Sequence, residues 1–192
     1  MKLFISLLFS VLLITGAAAG AQMVSSATGR QVSITAGGMA SIFQPDYMGG
    51  WNNGVYAQAS IQPLFGVGTY VDVRLRRWVQ IEAEGRWSRL NALEGITEDN
   101  YLIGPRLPVY HFRKATVYGK ALGGISRMNF GSIYYDIYGR YLDIAFGGGM
   151  DVKLTKKISL RAVDAEYHYW PNWEGSTLSP YGASVGVSYK IF

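Results

Sequence analysis

Two histidines, His111 and His168, are the only side chains in this sequence whose ordinary proton affinity suits acid–base work near neutrality. No cysteine is present, which excludes thiolate metal sites, cysteine nucleophiles, disulfides and a lipidated cysteine anchor. His111 and His168 fall at opposite ends of the extended segments assigned below. At about 3.3 Å per residue they cannot share one metal ion. Ser88, His168 and Glu166 form the one Ser/His/acid grouping that could meet at a common level, where it would support nucleophilic acyl or ester chemistry. No local motif supports that grouping. Alternation in any case sets Glu166 and His168 side by side, where a histidine satisfied by its neighbour is the simpler expectation. Glu82 and Glu84 could share acid and base roles as a glycosidase pair, but Arg74 and Arg86 offer them plain ion pairing. Gly147-Gly148-Gly149 lies inside an extended segment and opens no helix, so it is not a phosphate loop. No spacing matches a metal site, and no cofactor is expected.

The elements that carry these residues are strands. Lys2, the apolar run Leu3 to Ile14 and the small residues Gly16 to Ala21 have the form of a secretory signal peptide, with Ala19-Gly20-Ala21 before Gln22 as the cleavage site. Residues 1–21 are therefore expected to be the signal and 22–192 the mature domain. The apolar run is shorter than the ~20 residues of a transmembrane helix. Beyond it, segments of period-two alternation predict strands near 31–43, 64–76, 78–90, 100–112, 116–128, 141–154, 158–170 and 181–192. Tight connectors (Arg76-Arg77, Arg113-Lys114-Ala115, Thr155-Lys156-Lys157) alternate with long ones at 44–63, 91–99, 129–140 and 171–180. Only 16% of the residues are charged, against roughly 25% in an ordinary soluble domain. The expected fold is an all-β, eight-stranded antiparallel up-and-down barrel able to cross a bilayer as strands.

Alternation divides each strand into an apolar and a polar face. In 64–76, Phe65, Val67, Val71, Val73 and Leu75 oppose Gly66, Gly68, Tyr70, Asp72 and Arg74. In 158–170 the phase breaks, because Ser159 and Arg161 are offset by one from Asp164, Glu166 and His168; a β-bulge at Ala162-Val163 would restore it. A soluble barrel would turn the apolar face inward around a ligand cavity, and a membrane barrel would turn it outward. The Gly and Ser of the polar face suit the cramped lumen of eight strands. Aromatics near strand ends (Trp78, Trp87, Tyr101, Tyr141, Tyr167, Tyr169, Trp170, Tyr189) suit interfacial girdles, and both favour the membrane form.

The signal peptide, the eight-strand layout and the closing YGASVGVSYKIF resemble the OmpA-like and OmpX-like family of small outer-membrane barrels. The resemblance implies an integral outer-membrane protein with long loops outside the cell and short turns in the periplasm, in contact with outer-membrane lipid and lipopolysaccharide. It also implies that the last strand carries the signal for the barrel-assembly machinery, here on Gly186, Val187, Tyr189, Ile191 and Phe192. Ile191 rather than Phe192 falls in the alternating apolar phase, so Phe192 stands one residue beyond the family's usual register.

Charge is sorted by position. Seven acids (Asp72, Glu82, Glu84, Asp143, Asp151, Asp164, Glu166) and seven bases (Arg74, Arg86, Arg106, Lys120, Lys153, Arg161, Lys190) are expected in the lumen, paired into an ion network that plugs it. The alternative is an ion path, a narrow porin-like channel. The other six acids, Asp46, Glu94, Glu98, Asp99, Asp136 and Glu174, fall in the long connectors, and six bases crowd the tight turns. Arg89, Arg127 and Arg140 stand near the outer strand ends, either as a solvated rim or as a lipopolysaccharide phosphate site. The formal net charge of +5 is split between lumen and turns, without the basic stripe that nucleic acid requires. The expected function is structural or surface-interacting and non-enzymatic. Loops 47–53 and 171–179, with Trp51, Trp170 and Trp173, either are offered to a partner that the sequence leaves unknown or, the simpler expectation, only finish the outer aromatic girdle. A rim enzyme acting on lipid A, built on His168, is the remaining alternative.

Overall fold

The computed structural model describes residues 32–45, 63–76, 78–91, 96–129, 138–173 and 176–192. The expected signal peptide, Trp51 and most of the first long connector lie outside them. Among the described residues nine strands run β1 (Ser33–Gln44), β2 (Leu64–Arg76), β3 (Val79–Ser88), β4 (Thr97–Phe112), β5 (Ala115–Asn129), β6 (Tyr138–Lys153), β7 (Ile158–Trp173), β8 (Ser176–Leu178) and β9 (Tyr181–Lys190). All pairings are antiparallel. Each of β1 to β6 pairs its sequence neighbours, β6 pairs β7, β7 pairs β9, and β9 pairs β1, which closes the barrel. The short β8 pairs the end of β7 and leads into β9, so the two together make the eighth wall segment. Pro180 interrupts it because proline has no N–H to give the ladder; its carbonyl still accepts from His168 N at 2.7 Å.

The apolar face looks outward. Phe65, Val67, Val71, Ile103, Ile125, Leu142, Phe146, Val185 and Val187 are all exposed, whereas Asp72, Glu82, Arg86, Arg161 and Asp164 are buried. The strands read buried–exposed–buried along the sequence, most regularly in β2. Only a barrel whose outer solvent is itself apolar is stable with that arrangement, which excludes the soluble alternative.

Local departures interrupt the regular register, and one of them restores the facing of β7. Asp151 pairs Arg161 while Met150 pairs Val163, leaving Ala162 as the extra residue of a bulge where the sequence phase breaks. A second irregularity falls between Pro108 and Tyr110 on β4, and a third between Arg74 and Arg76 on β2. At the turns, Arg113 adopts φ 49°, and Thr155 Oγ1 accepts from Lys157 N at 3.2 Å and Ile158 N at 2.9 Å. The largest differences from the sequence-based boundaries are three residues each: β4 and β6 begin earlier than the alternation predicts, at Thr97 and Tyr138, and β7 ends later, at Trp173.

Gly37 is required by packing. It pairs Tyr70 across β1–β2, and the Tyr70 ring lies over it so closely that a Cβ there would fall 2.7 Å from Tyr70 Oη. Its neighbour Gly38 points outward, where a Cβ would meet nothing nearer than 3.9 Å. Gly37→Val should destabilise the barrel by about 1–3 kcal/mol. Gly38→Val should be tolerated. The temperature at which each variant loses its fast, unboiled mobility on an SDS gel measures the difference.

Candidate functional site

The site is the lumen itself, built by inward positions of the described strands. Its centre is Lys120 on β5, whose Nζ donates to Glu82 Oε1 at 2.8 Å, Glu84 Oε2 at 3.0 Å and Asp164 Oδ2 at 2.7 Å, and also contacts Glu166. Arg161 on β7 donates to Glu82 Oε2 at 2.6 Å and to Asp164 Oδ2 at 3.0 Å, and reaches Asp72 at 3.4 Å. Toward the short-turn end, Arg106 donates to Asp72 Oδ2 at 2.9 Å and Gln80 Oε1 at 3.1 Å, and pairs with Asp151. Toward the loop end, Arg86 donates to Glu166 Oε2 at 2.6 Å and Glu84 Oε1 at 3.2 Å. His168 Nδ1 stands 2.8 Å from Asp143 Oδ2, and its Nε2 stands 3.2 Å from Glu166 Oε2.

Aromatic faces complete the solvation of the cations. The Arg161 guanidinium lies 3.6 Å from the Tyr70 ring centroid, Arg106 lies 3.6 Å from that of Tyr118, and Arg86 lies 4.2 Å from that of Phe43. Phe43 in turn packs edge-on against His168 at 5.1 Å. Nearer the loops, the polar column gives way to Met128, Tyr141, Trp170 and Leu178, all buried. Trp170 and Tyr141 stack with centroids 5.7 Å apart.

Of the fourteen residues expected in the lumen, eleven are brought together: Asp72, Glu82, Glu84, Arg86, Arg106, Lys120, Asp143, Asp151, Arg161, Asp164 and Glu166. Arg74, Lys153 and Lys190 are not; all three are exposed at the short-turn end and pair with no described acid, because the strands outrun the packed column there. Two acids assigned to a long connector belong to β4 instead. Glu98 is fully buried and accepts from Asn100 Nδ2 at 2.9 Å. Asp99 lies on the outer face, bound by Arg89. Asn100, Ser126 and Gln80 also enter the polar column; Ser126 Oγ donates to Asp143 Oδ2 at 2.5 Å. Their inward parity was visible, but neutral side chains give no charge signal.

Two expected girdle aromatics, Tyr141 and Trp170, are lumenal, on the same parity as Asp143 and His168. Trp170 is thus withdrawn from any loop surface, and the side chain of Trp173 is outside the described set. Trp78, Tyr101, Tyr167, Tyr169 and Tyr189 are exposed as girdle residues should be.

The chemistry available is ion pairing. Glu82, Glu84 and Asp164 have oxygens close enough for a metal ion, but the Lys120 ammonium occupies the place between them. Both ring nitrogens of His168 face carboxylates, so neither is turned toward Ser88, whose Oγ makes no hydrogen bond with a described residue.

Comparison with known proteins agrees with this architecture. A family model described as an outer membrane protein beta-barrel domain matches residues 9–190. No curated protein matches the sequence. Among solved structures, Neisserial surface protein A (NspA) is similar with a TM-score of 0.58 at 10% identity, over 83% of this chain and 97% of that one. The Pseudomonas aeruginosa outer membrane protein OprG gives 0.57 at 9% identity, over 84% and 97%. Ail, the attachment invasion locus protein of Yersinia pestis, gives 0.51 at 15% identity, over 84% and 99%.

Removing one partner of a buried ion cluster strands the others. Lys120→Met should cost about 3–5 kcal/mol in urea unfolding from detergent or lipid. Lys153→Ala, at the exposed end, should stay within about 0.5 kcal/mol. Equal effects would mean that the cluster does not hold the barrel together.

Proposed function

As a member of the outer membrane protein beta-barrel family, the chain is an integral outer-membrane barrel, and we propose that it is a closed one, serving the envelope structurally or presenting its loops to an outside partner. The continuous side-chain column from Arg106 through Lys120 to Arg86 and His168, capped by the Trp170–Tyr141 stack, carries this reading. Eight strands enclose a lumen just wide enough for side chains to fill. A path for ions would require the Arg161–Glu82 and Lys120–Asp164 contacts to break together. Two of the structural neighbours carry names that speak of surface and attachment roles, NspA and Ail, which suits display of the loops. Residues 1–21 are proposed to be the removed signal. Gly186, Val187, Tyr189, Ile191 and Phe192 are proposed as the strand that the barrel-assembly machinery reads. In support, β9 is the closing strand, and Ile191 N donates to Ile34 O at 2.8 Å across the seam.

The loop-end rim supports contact with lipopolysaccharide. Arg127 and Arg140 stand opposite each other in the β5–β6 ladder on the outer face, and Asp99, opposite Arg127 in the β4–β5 ladder, is already bound by Arg89. Like charges directly opposite are unfavourable unless an anion lies between them. A phosphate on the neighbouring glycolipid would supply it by charge-assisted hydrogen bonds.

Two measurements follow. In a planar bilayer the purified barrel should pass no steady current; stable open events would replace the closed form with a channel. Arg127→Ala with Arg140→Ala should lower the lipopolysaccharide that copurifies with the barrel by on the order of tenfold, from the loss of two charge-assisted contacts. Unchanged lipopolysaccharide would reduce this rim to a solvated edge.

A further inference from the structure

Among the described side chains, exposed charge has a single sign. Every described acid is buried or half-buried, while Arg76, Arg113, Lys114, Lys156 and Lys157 are exposed at the turns and paired with no described acid; Arg74, Lys153 and Lys190 are exposed and unpaired with a described acid too, but they keep the inward parity of the lumen. All eight gather at the short-turn end. Lys153 N donates to Lys114 O at 2.8 Å and Lys190 N to Lys157 O at 2.7 Å, so two pairs of lysines spring from adjoining backbone. Adjacent like charges repel, and nothing among the described residues offsets them.

The same end carries exposed aromatic and aliphatic side chains: Trp78, Val109, Tyr110, Phe112, Leu154, Tyr189 and Phe192. Two of the bases lean on them. Arg113 lies 5.4 Å from the Phe112 ring centroid and Lys157 lies 5.6 Å from that of Tyr189. Long basic side chains rising from an aromatic belt place their charge at the level where lipid phosphates lie.

We propose that this cationic collar binds the phosphates of anionic glycerophospholipids in the leaflet that meets the short turns, so that the barrel gathers a ring of such lipids around itself. Two features select a lipid over a soluble anion. The turn bases are spread around the circumference over several turns, and they rise from side chains that only a bilayer would cover.

The test is the relative association constant of spin-labelled phosphatidylglycerol over spin-labelled phosphatidylcholine for the barrel in bilayers. The native protein should favour phosphatidylglycerol on the order of fivefold at low salt, and the preference should fall toward one in about 0.5 M salt. The combined variant Lys114→Gln, Lys156→Gln, Lys157→Gln should lose most of the preference while keeping its heat-dependent gel shift. The pair Arg127→Gln, Arg140→Gln, at the other end, should keep it. Four outcomes would overturn the proposal. The native barrel could show no preference. The loop-end pair, and not the lysine variant, could lose it. Inorganic phosphate could abolish the preference where chloride of equal ionic strength does not, which would make the collar a free-phosphate site. Finally, the lysine variant could lose cosedimentation with peptidoglycan sacculi while lipid preference is untouched, which would make the cell wall the partner.

Discussion

A charge turned inward from an apolar wall has no solvent to return to and must find its counter-charge across the lumen. In this barrel that condition is met by sharing. Lys120 serves carboxylates from β3 and β7, Arg161 serves Glu82 and Asp164, and Arg106 spans Asp72 and Asp151. Each cation therefore ties strands that are not neighbours in the wall. The ladder of backbone hydrogen bonds joins β3 to β4 and β4 to β5, but only the side chains join β3 to β7 across the interior. Register follows from the same contacts. A one-residue slip in any strand would carry its acids to the apolar outside, and the bulge at Ala162 exists because Arg161 and Asp164 must both face inward from a strand whose parity changes between them.

Most of this was legible because period-two alternation and charge carry the same message. Where Asp72, Glu82, Glu84 and Arg86 recur at every second position, the inward face is declared twice, once by polarity and once by spacing. The bulge was legible for the same reason, since a phase break between charged residues can be mended only by an inserted residue. The outward direction of the apolar face required more than alternation. Gly on the polar face and tyrosine at strand ends pointed to it, and the exposed Val and Phe of β2, β6 and β9 establish it.

Elsewhere one signal overrode another. Asp99-Asn100 has the composition of a turn, and it concealed that Glu98 continues the parity of Asn100 and Leu102 into the lumen. Tyr141 and Trp170 resembled girdle residues by type, although their parity with Asp143 and His168 was already inward. In both cases spacing was the better guide than residue type, because facing is fixed by backbone geometry and composition is only correlated with depth. Arg74, Lys153 and Lys190 failed in the opposite way. Their parity is inward, but they lie beyond the level at which opposing strands supply an acid, so long side chains reach water instead.

The same limit explains why the two ends of the lumen differ. At the loop end the ionic column meets a dry cap of Trp170, Tyr141, Met128 and Leu178. At the turn end it meets a cavity of about 70 Å³ lined by Arg74, Gln80, Arg106, Asp151, Lys153 and several hydroxyls. A pore would need a wet path through the middle of the lumen, whereas here Lys120 and Arg161 are held at that level by Glu82, Glu84 and Asp164. Water entering from the turns would stop where Arg106 stacks on Tyr118 and Arg161 on Tyr70. Opening that level means separating a guanidinium from both its carboxylates and its aromatic face, with no bulk solvent at hand to replace them. On the proposed closed reading, the ion network locks the lumen as well as bracing the wall, because the same Lys120 and Arg161 contacts that hold β3, β5 and β7 together also fill the space between them.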